Sequence, residues 1–545
     1  MAALQKGDLP HARAEFEKFV KLAPKSADGH NLLGWVLLAS GDTDAAIAQL
    51  KTATQLKPDF AQAHTNLASA LAAKKDLAGA EKEARTAVKL EPNDAEAHWA
   101  LARILSFGGD IAGALAEMRI ASELAPGRAD LHDELGTLLV QNSQNEEAAA
   151  EFKKAIALEP GRASALARLG YLRWQQKDLD EAHRLLEQGV AAAPNDAEAH
   201  YYFARVLADQ GDRAGAEREL KAAVQIRPDY AEAQEQLGML LQRNGDASSV
   251  EVFRRVVALQ PDSADAHNNL GLALIQNSDA GGAVQEFETA LKLKPNDPDY
   301  RINLGSAYMQ KADFDAAIRE FEVALASMPN DVTLRYNLGL ARKLKDDLPG
   351  AVEELRKAEQ LDPQNADVHY TLGVTLWQQG IFDGAASELQ AAIKARPDYA
   401  EAYYTLGTVL KQQEKLPEAA TALREAIRLQ PEFAGAHTTL AAVLRQMGDN
   451  DGARVEAKLG AEITKSRTDL QGATFATNSG KHLLDAGDLD GAIGQLRSAV
   501  LQSDTYAPAH FYLAEALERK GQAAEAKQEY ARAAELDSRF QKSSK

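Results

Sequence analysis

Hydrophobic positions along the chain recur with two helical spacings inside a frame of 34 residues. In residues 264–297, ADAHNNLGLALIQNSDAGGAVQEFETALKLKPND, small, apolar or packing residues fall at frame positions 4, 7, 8 and 11, and again at 20, 24 and 27. Each set marks one face of an α-helix, because residues three and four apart lie on the same side of the coil. Charged and polar residues fill the positions between. The frame therefore predicts two helices per unit, each with a buried stripe that only neighbouring units can cover.

Proline marks the frame. It stands at 24, 58, 92, 126, 160, 194 and 228, then at 261, 295, 329, 363, 397 and 431, always 34 residues on except for the 33 between 228 and 261. Leucine repeats at position 7 (Leu67, Leu101, Leu135, Leu270, Leu304) and glycine at position 8 (Gly34, Gly136, Gly170, Gly271, Gly305). Small residues at 8, 20 and 27 remove bulk where the two helices of a unit cross. Gly-Asp pairs such as Gly41-Asp42, Gly211-Asp212 and Gly448-Asp449 predict a left-handed glycine ending the first helix and an aspartate capping the second. Asp94, Asp196, Asp297 and Asp331 stand where the following first helix needs its cap. Complete units begin near 27, 61, 95, 129, 163, 197, 231, 264, 298, 332, 366, 400, 434, 473 and 507.

This pattern, W-x2-L-G-x2-Y then A-x3-F then P, resembles the tetratricopeptide repeat (TPR) family along almost the whole chain. The resemblance implies an all-α, right-handed superhelical α-solenoid, with first helices lining a concave groove and second helices an outer wall. It also implies that positions 5, 6, 9, 12 and 13 of each first helix face the groove.

Three irregularities interrupt the register. GDASSVEVF, residues 245–253, is one residue short, which predicts a shortened turn. The stretch Glu462–Thr477 carries five extra residues, which predicts an elongated second helix and a longer loop or, alternatively, a hinge separating the last two repeats. The chain opens at Gly7-Asp8, Ala12, Phe16 and Pro24, the second half of a unit. The expected organisation is thus a partial repeat at 1–26, a main solenoid of thirteen repeats at 27–465, a junction at 466–472, two further repeats at 473–540 and a tail at 541–545. A half-repeat exposes an apolar face, so head-to-tail self-association through it, or derivation from a longer protein, is an alternative expectation.

Composition narrows the function classes. There is no cysteine, so disulfides, thiolate nucleophiles and Cys-ligated metals are excluded. Acidic residues number 80 against 61 basic ones, a net charge of −19 that argues against a general nucleic-acid binder. No apolar run approaches the length of a membrane span, and residues 1–20 lack a signal-peptide layout, so an export signal would lie outside this chain. The compartment stays open between cytoplasm and periplasm, and the composition suits a bacterial source.

Nine of the twelve histidines occupy position 4, from His30 and His64 to His437 and His510, where packing or capping outranks metal binding. Acidic residues at position 2 (Glu96, Asp130, Glu198, Glu232, Asp367) suit a helix N-terminus, or form an acidic stripe along one groove edge. No phosphate loop or nucleophile set stands out, so no catalytic residue, metal or cofactor is expected. The groove positions carry two rows. Asn269, Asn303 and Asn337 fill position 6 in three successive units and resemble the asparagine ladder of the O-linked N-acetylglucosamine transferase superhelix, without its catalytic domain. An amide offers both a donor and an acceptor to any peptide unit. Tyr336, Tyr370 and Tyr404 make a row at position 5, with Lys343, Trp377, Lys411 and Arg445 at position 12. Rigid aromatics beside cations suit peptide recognition. The expected function is a non-catalytic scaffold holding an extended peptide or a helix in its groove.

Overall fold

The computed structural model describes residues 8–540. Among them are thirty α-helices, one 3₁₀ turn at Ser538–Phe540 and no strand. The helices alternate as the frame requires: first helices of 13 residues, such as Ala61–Ala73, and second helices of 14, such as Leu77–Leu90. By contact the chain divides into two bodies, Met1–Ser278 and Asp279–Lys545, each a stack of such hairpins. Among the described residues no helix is long and apolar enough to cross a membrane.

The periodic residues build each hairpin as their chemistry dictates. Position 24 supplies the largest buried side chains, Phe152, Phe253, Phe287 and Phe321. Phe152, Phe253 and Phe321 each face a glycine at position 8 of the partner helix, Gly136, Gly238 and Gly305. A β-carbon on Gly136 would lie 2.6 Å from Phe152 Cε1, and one on Gly34 would lie 2.5 Å from Leu50 Cγ. Glycine here is a condition of close helix crossing. Position 15 lies in the left-handed region in all fifteen complete units. Glycine supplies it eight times, as at Gly41, Gly211 and Gly448, and Lys75, Ser143, Lys177, Ser278, Ala312, Asp346 and Glu414 are forced into it elsewhere. The aspartate that follows caps the second helix: Asp42 accepts from the Ala45 amide and Asp212 from that of Gly215. Asp94, Asp196, Asp297 and Asp331 cap first helices in the same way.

Two irregularities resolve differently from the sequence expectation. The missing residue near 245–253 shortens the helix, not the turn. Gly245 keeps its positive φ of 72°, while the next helix runs only over Ser249–Leu259, 11 residues. Its first turn is tightened into three-residue bonds, Ser249 N–H to Asp246 O at 3.1 Å and Val250 N–H to Ala247 O at 3.3 Å. The expected loop and junction at 466–472 are absent. Asn450–Asp485 is one continuous helix of 36 residues, fusing the second helix of one unit to the first helix of the next. The physical reason is the lack of a stop signal. In the preceding units a proline follows the end of the second helix, whereas EITKSRTDLQG contains none, and helix propagation is then cheaper than a loop.

At the start of the described residues, Asp8 caps Leu9–Leu22, and Ala12 and Phe16 are buried against the next hairpin. Gly7 and the expected tail at 541–545 lie outside the described residues.

Candidate functional site

In most units a polar side chain at position 4 ties the hairpin to the one before it. In His64, His98, His132, His200, His369, His437 and His510, Nδ1 lies 2.5–2.8 Å from a glutamate nineteen residues on, while Nε2 lies 2.9–3.2 Å from a backbone carbonyl six residues back. Both ring nitrogens therefore lie within hydrogen-bond distance of an oxygen atom. Arg301 and Arg335 take the same two acceptors, Glu320 with the Pro295 carbonyl and Glu354 with the Pro329 carbonyl. Where position 4 is Leu166, the position facing it is Leu185, and both are buried. At His369, burial works against the charged ring, but the Pro363 carbonyl and the Glu388 carboxylate overcome it and hold the pKa above the ordinary histidine value. The histidines are thus structural bridges. The paired acid at position 23 was not singled out from sequence, although its constant 19-residue offset is readable there.

One set of donors, Glu359, His369 and Glu388, has ligand atoms within 4.8 Å of one another. Arg356 occupies the centre of that set: its Nη1 donates to Glu388 Oε1 at 2.8 Å and to Glu359 Oε2 at 3.1 Å. The two carboxylates are balanced by a guanidinium and an imidazole, so the arrangement is an ion-pair network.

Further polar contacts join the first helices. Neighbouring first helices are joined side by side at positions 5 and 6, as in Asn66 to Asn31 at 2.8 Å and Trp99 Nε1 to Glu134 at 2.7 Å. They are joined again at positions 12 and 13, as in Trp174 Nε1 to Asp209 at 2.8 Å. These positions therefore share one face of each stack.

The predicted residues distribute over both bodies. Asn269 belongs to the first, where its amide donates to Glu235 at 3.2 Å. Burial, together with the nearby Asp265 and Glu232, raises the pKa of that glutamate. Asn303 and Asn337 are half-buried in the second body, on Pro298–Gln310 and Val332–Leu344. Tyr336, Tyr370, Tyr404 and Trp377 are half-buried and pack against a single core cluster. Their polar edges interlock: Thr371 Oγ1 donates to Tyr336 Oη at 3.3 Å, and Trp377 Nε1 donates to Gln412 at 2.6 Å. Tyr370 and Tyr404 also stack on the aromatic preceding the next first helix, Tyr399 at 4.9 Å and Phe433 at 4.7 Å between centroids. Seven residues separate Tyr336 from Lys343, Tyr370 from Trp377 and Tyr404 from Lys411, so each pair shares one helix face. Lys343 is half-buried with no carboxylate partner among the described residues, and desolvation lowers its pKa. Lys411 is half-buried and Arg445 exposed.

Two clefts were not foreseen. The larger, about 710 Å³, lies on the first-helix face of Ala27–Ala39, Ala61–Ala73 and Ala95–Phe107. The second, about 610 Å³, gathers Tyr171, Trp174, Tyr201, Tyr202 and Tyr230. There Arg205 lies 4.7 Å over Trp174 and Arg227 lies 3.9 Å over Tyr230. Burial beside Glu198 holds the Tyr202 phenol far above its ordinary pKa. No periodic signal marks either cleft, because each arises from departures in side-chain size at positions where the frame sets no residue.

Family models described as tetratricopeptide repeat match residues 1–59, 235–298, 370–431, 404–463 and 477–539, and others match 37–104, 139–206 and 274–339. No curated protein matches the chain. Among solved structures, a crystal structure of MamA is 29% identical over 30% of this chain and 96% of its own, with a TM-score of 0.30. YrrB, titled a TPR protein with an unusual peptide-binding site, is 24% identical over 34% of this chain and 96% of its own, at 0.30. Yeast Tom70 is 18% identical over 81% and 97%, at 0.33.

Proposed function

Because the chain belongs to the tetratricopeptide repeat family, whose repeats generally mediate protein–protein interaction, we propose that it is a non-catalytic scaffold holding an extended segment of a partner protein along the first helices of residues 332–446. The observation that carries this reading is Lys343. A half-buried ammonium with no carboxylate partner among the described residues is costly unless something else completes it. A peptide carbonyl or carboxylate laid across Tyr336, Tyr370 and Tyr404 would do so. Beyond Trp377 on Ala366–Gln378, Lys411 and Arg445 continue the same row on Ala400–Gln412 and Ala434–Gln446. Asn337, beside Tyr336, offers an amide to the same segment.

The test is co-purification from the native organism with the full chain and with its Lys343→Gln, Lys411→Gln, Arg445→Gln variant. The variant keeps its far-UV circular dichroism and loses at least one partner that the wild type retains. Identical partners in identical amounts overturn the assignment of this surface.

A further inference from the structure

The larger cleft in residues 27–107 has the shape of an anchor pocket. Its walls are large and its floor is small. Trp35 stands on one first helix, and Trp99 and Phe107 stand on the next but one. Between them the helix Ala61–Ala73 contributes no large apolar side chain, only Thr65, Asn66, Ser69, Ala72 and Ala73. Three successive helices thus present large, small and large side chains on one face, and the gap at the small ones is the cleft. Its volume of about 710 Å³ falls within the roughly 300–1,000 Å³ of small-ligand and side-chain pockets.

The aromatics are not covered by their own chain. Trp35 is 43% exposed and Phe107 66% exposed, unlike the buried phenylalanines at position 24. Exposed large apolar side chains converging on one concavity mark an interaction site. Trp99 is held in place at three points: its Nε1 donates to Glu134, Arg103 lies 5.0 Å over its ring and Arg128 lies 5.2 Å over it. A wall fixed in this way loses little freedom when something packs on it.

Charge selects the occupant. The chain carries a net charge of −19, yet the rim of this cleft is cationic. Lys75 and Arg103 line it, and neither has a carboxylate partner among the described residues. The single lining acid, Glu96, is neutralised by Arg128 at 2.6 Å. We infer that this cleft is a second docking site, taking an acidic segment of a partner protein through one large apolar side chain, with a carboxylate beside that anchor reaching Arg103 or Lys75. An apolar anchor in a well-formed pocket dominates the affinity of such a contact, and the flanking charges set which segments are admitted.

The inference rests on the scaffold reading but not on the surface at 332–446. Its test uses different residues and is scored separately. A phage-displayed library of random twelve-residue peptides is selected on the immobilised full chain and counter-selected on the Ser69→Trp variant. Ser69 is exposed, so the indole fills the cleft without entering the core. The expected consensus is Trp, Phe, Leu or Met with Asp or Glu within two positions. A synthetic peptide of that consensus binds the wild type at least tenfold more tightly than Ser69→Trp. Arg103→Glu weakens it by about fivefold, the upper end for one exposed ion pair. A basic or wholly polar consensus, equal binding to wild type and Ser69→Trp, or no enrichment overturns the proposal. So does a fall in sedimentation mass on Ser69→Trp substitution, which would make a second copy of the chain the occupant.

Discussion

Replacing His98 by leucine removes both bonds of one bridge. It deprives Glu117 of a partner at 2.6 Å and the Pro92 carbonyl of a donor at 3.0 Å. The Glu117 side chain is 24% exposed, so water reaches it in part, and the destabilisation should be about 2 kcal/mol, short of the roughly 3–5 of a fully buried charge. Glu117→Leu alone leaves His98 Nδ1 without its partner and should destabilise by about 1–2 kcal/mol. The double variant reproduces the pairing that the chain already uses at Leu166 and Leu185, which are 1% and 2% exposed. Only the Pro92 carbonyl is then left without its donor, so the double change should destabilise by about 1 kcal/mol. The two substitutions therefore couple by about 2 kcal/mol, roughly thirtyfold in an opening equilibrium. Stability in a stack of repeats is a sum over units and their interfaces, so a global melt dilutes the effect. Amide hydrogen exchange of peptides within residues 92–124, read by mass spectrometry in the wild type, the two single variants and the double variant, isolates it. If the exchange free energies of the singles simply add in the double, the bridge is not the coupled pair that its geometry describes.

Further outcomes follow from the same geometry. The pKa of His369 is raised in the folded chain, so its contribution is full below the unfolded value near 6.5 and is lost as pH rises through the folded one. Exchange within residues 363–395, corrected for intrinsic rate, should accelerate across that window, and His369→Arg, copying Arg335, should abolish the dependence. Ala312 is held at φ 58° where eight other units use glycine, so Ala312→Gly should stabilise its hairpin by up to about 1 kcal/mol, seen as slower exchange within 298–327. Gly136→Ala places a methyl 2.6 Å from Phe152 Cε1 and should destabilise that hairpin by about 1–3 kcal/mol in the same assay. Arg467→Pro interrupts the continuous helix Asn450–Asp485 and should destabilise by about 3 kcal/mol, whereas a loop at 466–472 would absorb the proline with little change in circular dichroism.

Much of this molecule is written in period and punctuation. Glycine against leucine or phenylalanine, the left-handed residue at position 15, the aspartate caps and the terminating proline are local requirements, and each recurs often enough to be read without coordinates. Even the fused helix is implicit in a missing stop signal, though the extra residues alone suggest a loop. The site is less legible. Groove positions are the places where the frame prescribes nothing, so identity there carries no periodic signal. The tyrosine row could be listed from sequence, but not its stacking on Tyr399 and Phe433, and Asn269 could be named as an open amide although it is bonded to Glu235.

Sequence by itself determined the repeat, its hairpin, the family and the stacking that buries each face, because those follow from spacings of three, four and 34 residues along one chain. Tertiary structure decided what depends on neighbours 19 or 35 residues apart. It made position 4 a polar bridge, it set Arg356 among the carboxylates of Glu359 and Glu388, and it opened a cleft where Ser69, Ala72 and Ala73 stand between tryptophans of the units on either side. Distance along the chain encodes the scaffold. Relative side-chain size and charge across stacked helices, which no single repeat contains, encode what the scaffold can hold.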